Sequence, residues 1–128
     1  MADPCPCGSA SYAACCGPLH AGKRHAETPE ELMRARYSAF ATGDVFFLAR
    51  SWHPRTRPAD LSADPSLSWT GLTVHGSAVD GEVGTVDFTA RYVDAGGPGE
   101  LREHSRFARR GGRWVYVDGD VGQGAAHS

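Results

Sequence analysis

The sequence predicts an α+β fold in which helices pack on one face of a curved antiparallel sheet. Between residues 28 and 52, apolar side chains recur every three or four positions, the period of a helix buried along one stripe. From Trp69 onward the period changes to two, the signature of strands. A third observation sets the organisation: the chain's four cysteines all fall between Cys5 and Cys16, ahead of the first periodic stretch.

That first segment has the spacing C-x-C-x7-C-C, with Gly8, Ser9 and Ala10 between the pairs. Two short-range thiolate pairs joined by a small-residue turn can converge as the tetrahedral shell that Zn²⁺ prefers. A disulfide pair or a redox dithiol is the competing reading, although the adjacent Cys15 and Cys16 are poorly placed to bond each other without strain. Asp3 and Pro4 stand where a secretory signal would need a basic region and an apolar run. The expectation is therefore a reducing, cytoplasmic setting, which fits a metal better than a disulfide framework. Four sulfurs would leave no open position for water, so such a zinc would be structural. Gly17-Pro18 reads as a turn that ends the knuckle. His20 and His25, flanking Lys23-Arg24, are expected either over the thiolate cluster, where they would offset its charge, or at the free surface.

Thr28-Pro29-Glu30-Glu31 is a helix start: Thr28 as N-cap, Pro29 at N1 and Glu31 as the reciprocal partner of a capping box. The helix runs to Phe40, with Leu32, Met33, Arg36, Tyr37 and Phe40 on one stripe. Arg36 is its polar member, expected to pack its stem and reach the edge with its guanidinium. Thr42-Gly43-Asp44 ends this helix and caps the next, Val45 to about Trp52, whose Phe46, Phe47, Leu48 and Trp52 cover more than one face. Residues 55–68 are rich in Pro, Asp, Ser and Thr and read as a loop with a short turn of helix near 58–62.

Trp69–His75 reads as a strand, Ala78–Gly81 as a bulge or turn, and Val83–Val93 as the strongest strand, with Val86, Phe88, Ala90 and Tyr92 alternating with Thr85, Asp87, Thr89 and Arg91. Asp94–Gly99 is a hairpin loop, Leu101–Arg109 a strand, Gly111-Gly112 a tight turn and Arg113–Asp118 the last strand. Gly119 onward is a small-residue tail expected to fray. The organisation is thus a knuckle over 1–26, an α+β domain over 27–119 and a disordered tail over 120–128.

Composition bounds function. The 128 residues carry a formal charge of −2, and every basic residue except Lys23 is arginine. That balance argues against a general nucleic-acid binder, which needs a clustered basic surface. No run approaches the 18 apolar residues of a membrane span.

The opening Cys5-Pro-Cys-Gly-Ser…Tyr12…Cys15-Cys16 resembles the SEC-C metal knuckle, also found at the carboxyl end of the SecA translocation motor. His20, the stretch Thr28 to Phe40, Trp52-His-Pro-Arg-Thr-Arg57, His104-Ser-Arg-Phe107 and Gly112-Arg-Trp-Val-Tyr-Val-Asp-Gly119 resemble the YchJ family, over about residues 5 to 119. The resemblance implies a SEC-C knuckle joined to an NTF2-like (cystatin-like) domain, a cone of helices wrapped by a strongly bent sheet. It also implies a metal role, for zinc, at Cys5, Cys7, Cys15 and Cys16. The chain departs from the motif at Ala10, where glycine is usual. It is nearly uncharged at Ser11, Ala13 and Ala14, unlike the lysine-rich SecA version that docks an acidic chaperone.

A cone of this kind has a cavity between its long helix and the concave sheet face, the default place for a site. Period two puts Glu103, Ser105 and Phe107 on one face of their strand, with Trp114, Tyr116 and Asp118 sharing a face of the next. The pocket is expected to be framed by Arg36, Tyr37 and Phe40, by Trp52 and His53, and by Asp87, Arg91, Glu103, Ser105, Phe107, Trp114 and Tyr116. Glu103 would be costly there unless paired, with Arg36 or Arg91 as partner. His53 is either a rim group or a cap on the preceding helix, and His104 a solvent-facing or edge group. With no Ser-His-Asp order, H-E-x-x-H or phosphate loop, no catalytic residue is assigned. The preferred expectation is a non-enzymatic binding or adaptor module, a monomer or weak homodimer, whose partner is a protein or a small ligand. The alternative is a small cofactor-independent enzyme doing proton transfer or hydrolysis with Glu103 or Asp87 and His53. A weaker third is single-stranded nucleic-acid contact through the knuckle and Lys23-Arg24, to which the overall charge lends nothing.

Overall fold

The computed structural model describes residues 5–8, 12, 15–59 and 67–121. Its elements are α1 (Cys16–His20), α2 (Pro29–Thr42), α3 (Val45–Arg50), β1 (Ser68–Asp80), β2 (Val83–Asp94), β3 (Gly97–Arg110) and β4 (Arg113–Val121). The four strands form one antiparallel meander in the order β1-β2-β3-β4. Each hairpin closes through a two-residue loop: Asp80 pairs with Val83, Asp94 with Gly97 and Arg110 with Arg113. Gly111 and Gly112 sit at φ of 60° and 80°, a combination that two side-chain-bearing residues would rarely adopt.

Helix α2 starts where its cap requires. The Thr28 hydroxyl accepts from the Glu31 amide at 3.0 Å, while Glu31 reaches past the cap to accept from the Glu27 amide at 2.8 Å. It stops at Gly43, which takes the left-handed conformation at φ 76°. Asp44 then caps α3 by accepting from the Phe47 amide at 3.1 Å. Phe47 and Leu48 are buried, but Phe46 is 80% exposed, because six residues of helix can turn only one face inward.

Several elements differ in extent from the sequence reading. Gly17-Pro18 does not terminate the knuckle as a turn; it forms the middle of α1, proline being tolerated in a first turn where its missing N–H leaves no bond unmade. Strand β1 continues through Ala78 to Asp80, and β3 begins at Gly97 inside the expected loop. Strand β4 runs on through Gly119, Asp120 and Val121, which pair with Ser105, His104 and Glu103. The expected helical turn near 58–62 falls largely outside the described residues, as do Ser9, Ala10, Ser11, Ala13 and Ala14.

The sheet bends at three places where one residue is extra in the ladder: Thr70, His75 and Val117. The outer edge of β4 is covered by the chain leaving α3: the Tyr116 amide donates to the Ser51 carbonyl at 2.8 Å and the His53 amide to the Tyr116 carbonyl at 2.7 Å. That cover satisfies an edge otherwise open to another strand. The core lies between α2 and the concave sheet face, where Leu48, Val86 and Phe107 are fully enclosed.

Candidate metal centre and two hollows

Helix α2 is buried on two faces. One turns Met33, Arg36, Tyr37 and Phe40 toward the sheet. The other presents Ala35 and Ser38, small enough for the cysteine segment to come close. The Ser38 hydroxyl lies 3.3 Å from the Cys5 sulfur and donates to the Cys16 sulfur at 3.2 Å. Arg34 donates to the Cys7 carbonyl at 3.2 Å while its Nε pairs with Glu30 at 3.0 Å, which fixes the first cysteine pair to the helix.

The sulfurs of Cys5, Cys7, Cys15 and Cys16 all lie within 4.8 Å of one another. Cys7 and Cys15 are 3.6 Å apart and Cys15 and Cys16 3.8 Å. A disulfide bond spans about 2.05 Å, and the edge of a tetrahedral thiolate shell about 3.8 Å. The donor set therefore fits a four-coordinate metal ion. The Cys16 thiol is pushed far up from its ordinary range, first by its hydrogen bond with Cys7 and then by burial. Four such thiols cannot all ionise in that space without a cation among them.

His20 makes its hydrogen bonds with Tyr12 and the backbone of α2 rather than with a sulfur. It is buried as a clamp: Nε2 donates to the Ala35 carbonyl at 2.8 Å, Nδ1 meets the Tyr12 hydroxyl at 2.6 Å, and the ring packs 4.7 Å from Phe47. It thus ties the knuckle to α2 and α3 together. His25 is exposed, and Arg24 forms an ion pair with Glu31.

On the other side of α2 is a cavity of about 280 Å³, walled largely by Met33, Tyr37, Phe40, Trp69, Phe88 and Leu101. Its polar end holds Arg36, Glu103, Ser105 and Tyr116, with Trp52 and Phe107 beside them. Arg36 is 5% exposed and does not reach the edge. Its guanidinium donates to the Leu48 carbonyl at 3.0 Å and the Ser51 hydroxyl at 2.8 Å, and lies 4.7 Å from the Trp52 ring centre and 4.3 Å from that of Tyr116. Burial lowers its pKa to about 10, so it stays a cation at neutral pH. The helix turns this position into the cone, where backbone, hydroxyl and ring faces replace water.

Glu103 gives its hydrogen-bonding capacity to neither of the expected arginines, although its charge still acts on Arg36. One carboxylate oxygen accepts from both the Ser105 hydroxyl at 2.8 Å and the Tyr116 hydroxyl at 2.9 Å. A side chain at Gly119 would overlap this carboxylate, so glycine there makes its room. Burial, and then the charge of Glu103, push the Tyr116 phenol up from its ordinary range. Arg91 lies on the outer sheet face, donating to Thr73 at 2.9 Å. Asp87 is on that face too, paired with His104 at 2.8 Å. His53 is half-buried at the β4 edge, its Nδ1 accepting from the Arg55 amide at 3.1 Å. Glu103, Asp87 and His53 therefore do not converge, and the acid–base set they were expected to form is not assembled. Trp114 is buried below the β3–β4 hairpin, under the Arg109 guanidinium, rather than in the cone cavity. Asp118 parts from Tyr116 because the bulge at Val117 shifts the phase; it faces outward, paired with Arg106 at 2.6 Å.

Sequence reasoning missed Ser38, Arg34 and the clamp at His20. The signal available for the first was a run of small residues, Ala35, Ser38 and Ala39, spaced like a second helix face.

Residues 28–119 match the family model described as YchJ, middle NTF2-like domain. The chain is 53% identical over 122 residues to a UPF0225 protein of Streptomyces coelicolor, covering 91% of this chain and 94% of that one. It is 50% identical over 117 residues to a UPF0225 protein of Deinococcus radiodurans, covering 90% and 87%. Among solved structures, the solution structure of a SEC-C motif containing protein from Rhodopseudomonas palustris superimposes with a TM-score of 0.84 at 34% identity, over 94% of this chain and all of that one. A SEC-C motif containing protein from Psychrobacter arcticus shares the fold, with a TM-score of 0.78 at 23% identity, over 98% of this chain and 84% of that one. Among the described residues no helix is long and apolar enough to cross a membrane.

Proposed function

The chain belongs to the YchJ (UPF0225) family, with an NTF2-like domain and a SEC-C cysteine motif, and from that premise we propose that it is a zinc-stabilised binding module rather than a catalyst. The observation that carries the reading is the convergence of four sulfurs within 4.8 Å on the small-residue face of α2. An all-thiolate tetrahedral set is soft and closed to water, which suits Zn²⁺ in a structural role. Zinc there would offset half the charge of the four thiolates and hold the N-terminal segment on the helix, and Ser38 would be its neighbour outside the sulfur shell.

The cone cavity supports the binding half of the proposal. Its walls are mostly apolar and aromatic, and its one carboxylate already accepts two hydroxyl hydrogen bonds. Such a space suits a small, largely apolar ligand oriented by a few polar atoms at one end. The test is metal analysis of the purified protein by mass spectrometry. About one zinc per chain is expected, falling to near zero in Cys7→Ser while the far-UV spectrum of the sheet is kept. Unchanged zinc in that variant would sink the four-cysteine assignment.

A further inference from the structure

A second hollow, of about 200 Å³, lies between the segment following the knuckle, α3 and the β3–β4 hairpin. Arg24, Arg50, Arg57, Arg110 and Arg113 line it together with His25, and no Asp or Glu is among its lining residues. Arg24 is already ion-paired with Glu31, but the whole chain carries a net charge of −2, so the remaining concentration of cations is local. We propose that this arginine-rimmed cleft is a binding site for a phosphate-bearing ligand.

Two features of the cleft suit an anion. The first is the placement of the arginines. Arg50 is anchored by the Leu19 and His20 carbonyls at 3.1 and 2.7 Å, and Arg57 by the Ala49 carbonyl at 3.2 Å. Arg110 and Arg113 stand directly opposite each other across the hairpin, and among the described residues neither side chain has a hydrogen bond or ion pair. Like charges paired across strands are destabilising, and an anion between them removes the cost. The second is in the floor. Trp52 and Trp114 both line the cleft, and their indole N–H groups are buried without an acceptor among the described residues. As the cleft stands neither N–H is open to solvent, so an anion reaches them only as the surrounding side chains give way, and their resonances report its arrival.

A site with guanidinium donors arriving from several directions and no carboxylate among its lining residues matches a tetrahedral oxyanion better than a planar carboxylate. Guanidinium groups bind phosphate oxygens through paired, charge-assisted hydrogen bonds. The phosphate could belong to a small metabolite-sized ligand or to a nucleic-acid backbone, and the test separates the two.

Inorganic pyrophosphate is the probe, followed by ¹⁵N NMR of the three tryptophan indole N–H groups. Trp69, which lines the cone cavity, is the internal control. Saturable shifts of Trp52 and Trp114 but not Trp69 are expected. The Arg110→Ala, Arg113→Ala double variant, changed only at exposed positions, should bind about tenfold more weakly or worse, as expected when charge-assisted contacts are lost. A second titration uses single-stranded oligouridylate. Tighter binding than pyrophosphate, lost steeply with salt, assigns the phosphate to a nucleic-acid backbone; weaker binding assigns it to a small ligand. No saturable shift with either probe, or equal affinity in the double variant, overturns the proposal. Zinc content is read on the same samples, so failure here and failure of the metal assignment are separate results.

Discussion

Trp52 lines both hollows of the molecule, and the two use arginine in opposite ways. In the cone, Arg36 is enclosed, its hydrogen bonds given to Leu48 and Ser51 and its plane to two aromatic rings. At the cleft, five arginines ring the opening, and two of them have no internal partner among the described residues. The lesson is that residue type alone does not say whether a charge is structural or available. Its position relative to backbone carbonyls and ring faces does.

The largest effect that would test this contrast comes from withdrawing the metal, by chelation or by Cys7→Ser. The cleft wall includes Leu19, Gly22, Arg24, His25 and Ala26, whereas the described lining of the cone cavity begins at Met33. Loss of metal should cost roughly 4 kcal/mol of stability and should move the Trp52 and Trp114 indole signals while leaving Trp69 in place. Equal movement of all three would mean that the knuckle supports the whole cone and that the two hollows are not separable.

Next in size is Arg36→Ala. It removes two ring contacts and the charge-assisted hydrogen bonds to the Leu48 carbonyl and the Ser51 hydroxyl, and leaves a buried gap, a loss of about 3 kcal/mol by urea denaturation. A change under about 1 kcal/mol would break the comparison, since Arg36 would then be as dispensable as a surface charge.

Tyr116→Phe removes one of the two hydrogen bonds to Glu103 and should cost about 1–2 kcal/mol near neutral pH. The phenol's folded pKa is raised above the ordinary 10.0, first by burial and then by Glu103. The stability this group contributes is therefore fully present below pH 10 and is lost as pH rises above it, because the unfolded chain gives up the proton first. Urea midpoints should fall more steeply above pH 10 in the parent protein than in Tyr116→Phe. Parallel curves would place Tyr116 in contact with water.

The smallest effect is expected at Arg113→Ala, within about 0.5 kcal/mol of the parent stability or slightly above it as cross-strand repulsion with Arg110 is relieved. Thermal unfolding of this variant beside Arg36→Ala measures the two kinds of arginine on one scale.

How much was legible in the sequence differs from site to site. The cysteine set was readable because its members are close in the chain and share one chemistry. The α2 cap at Thr28 and the glycine pair at 111–112 were readable because each is settled by its own neighbours. The inward face of β3 follows from alternation alone, but the same rule applied to β4 put Asp118 beside Tyr116. It fails there because one extra residue, Val117, enters the ladder where the strand pairs with β3. The partners of Glu103 were misjudged for a related reason. The search was for opposite charge, while the folded chain brought two hydroxyls to the same oxygen.

The sequence by itself determined local features: the start and stop of α2, the strand period, the turn at Gly111-Gly112 and a cysteine quartet confined to the first sixteen residues. These depend on interactions within a few residues. Only the tertiary structure decided that Arg36 points into the cone, that Ser38 meets two sulfurs, and that Arg24, Arg57 and Arg113, far apart in the chain, share a cleft with two orphaned indoles. Those outcomes depend on which faces the helices bury and on where the sheet bends. Both are set by packing between distant segments, which no short stretch of sequence encodes.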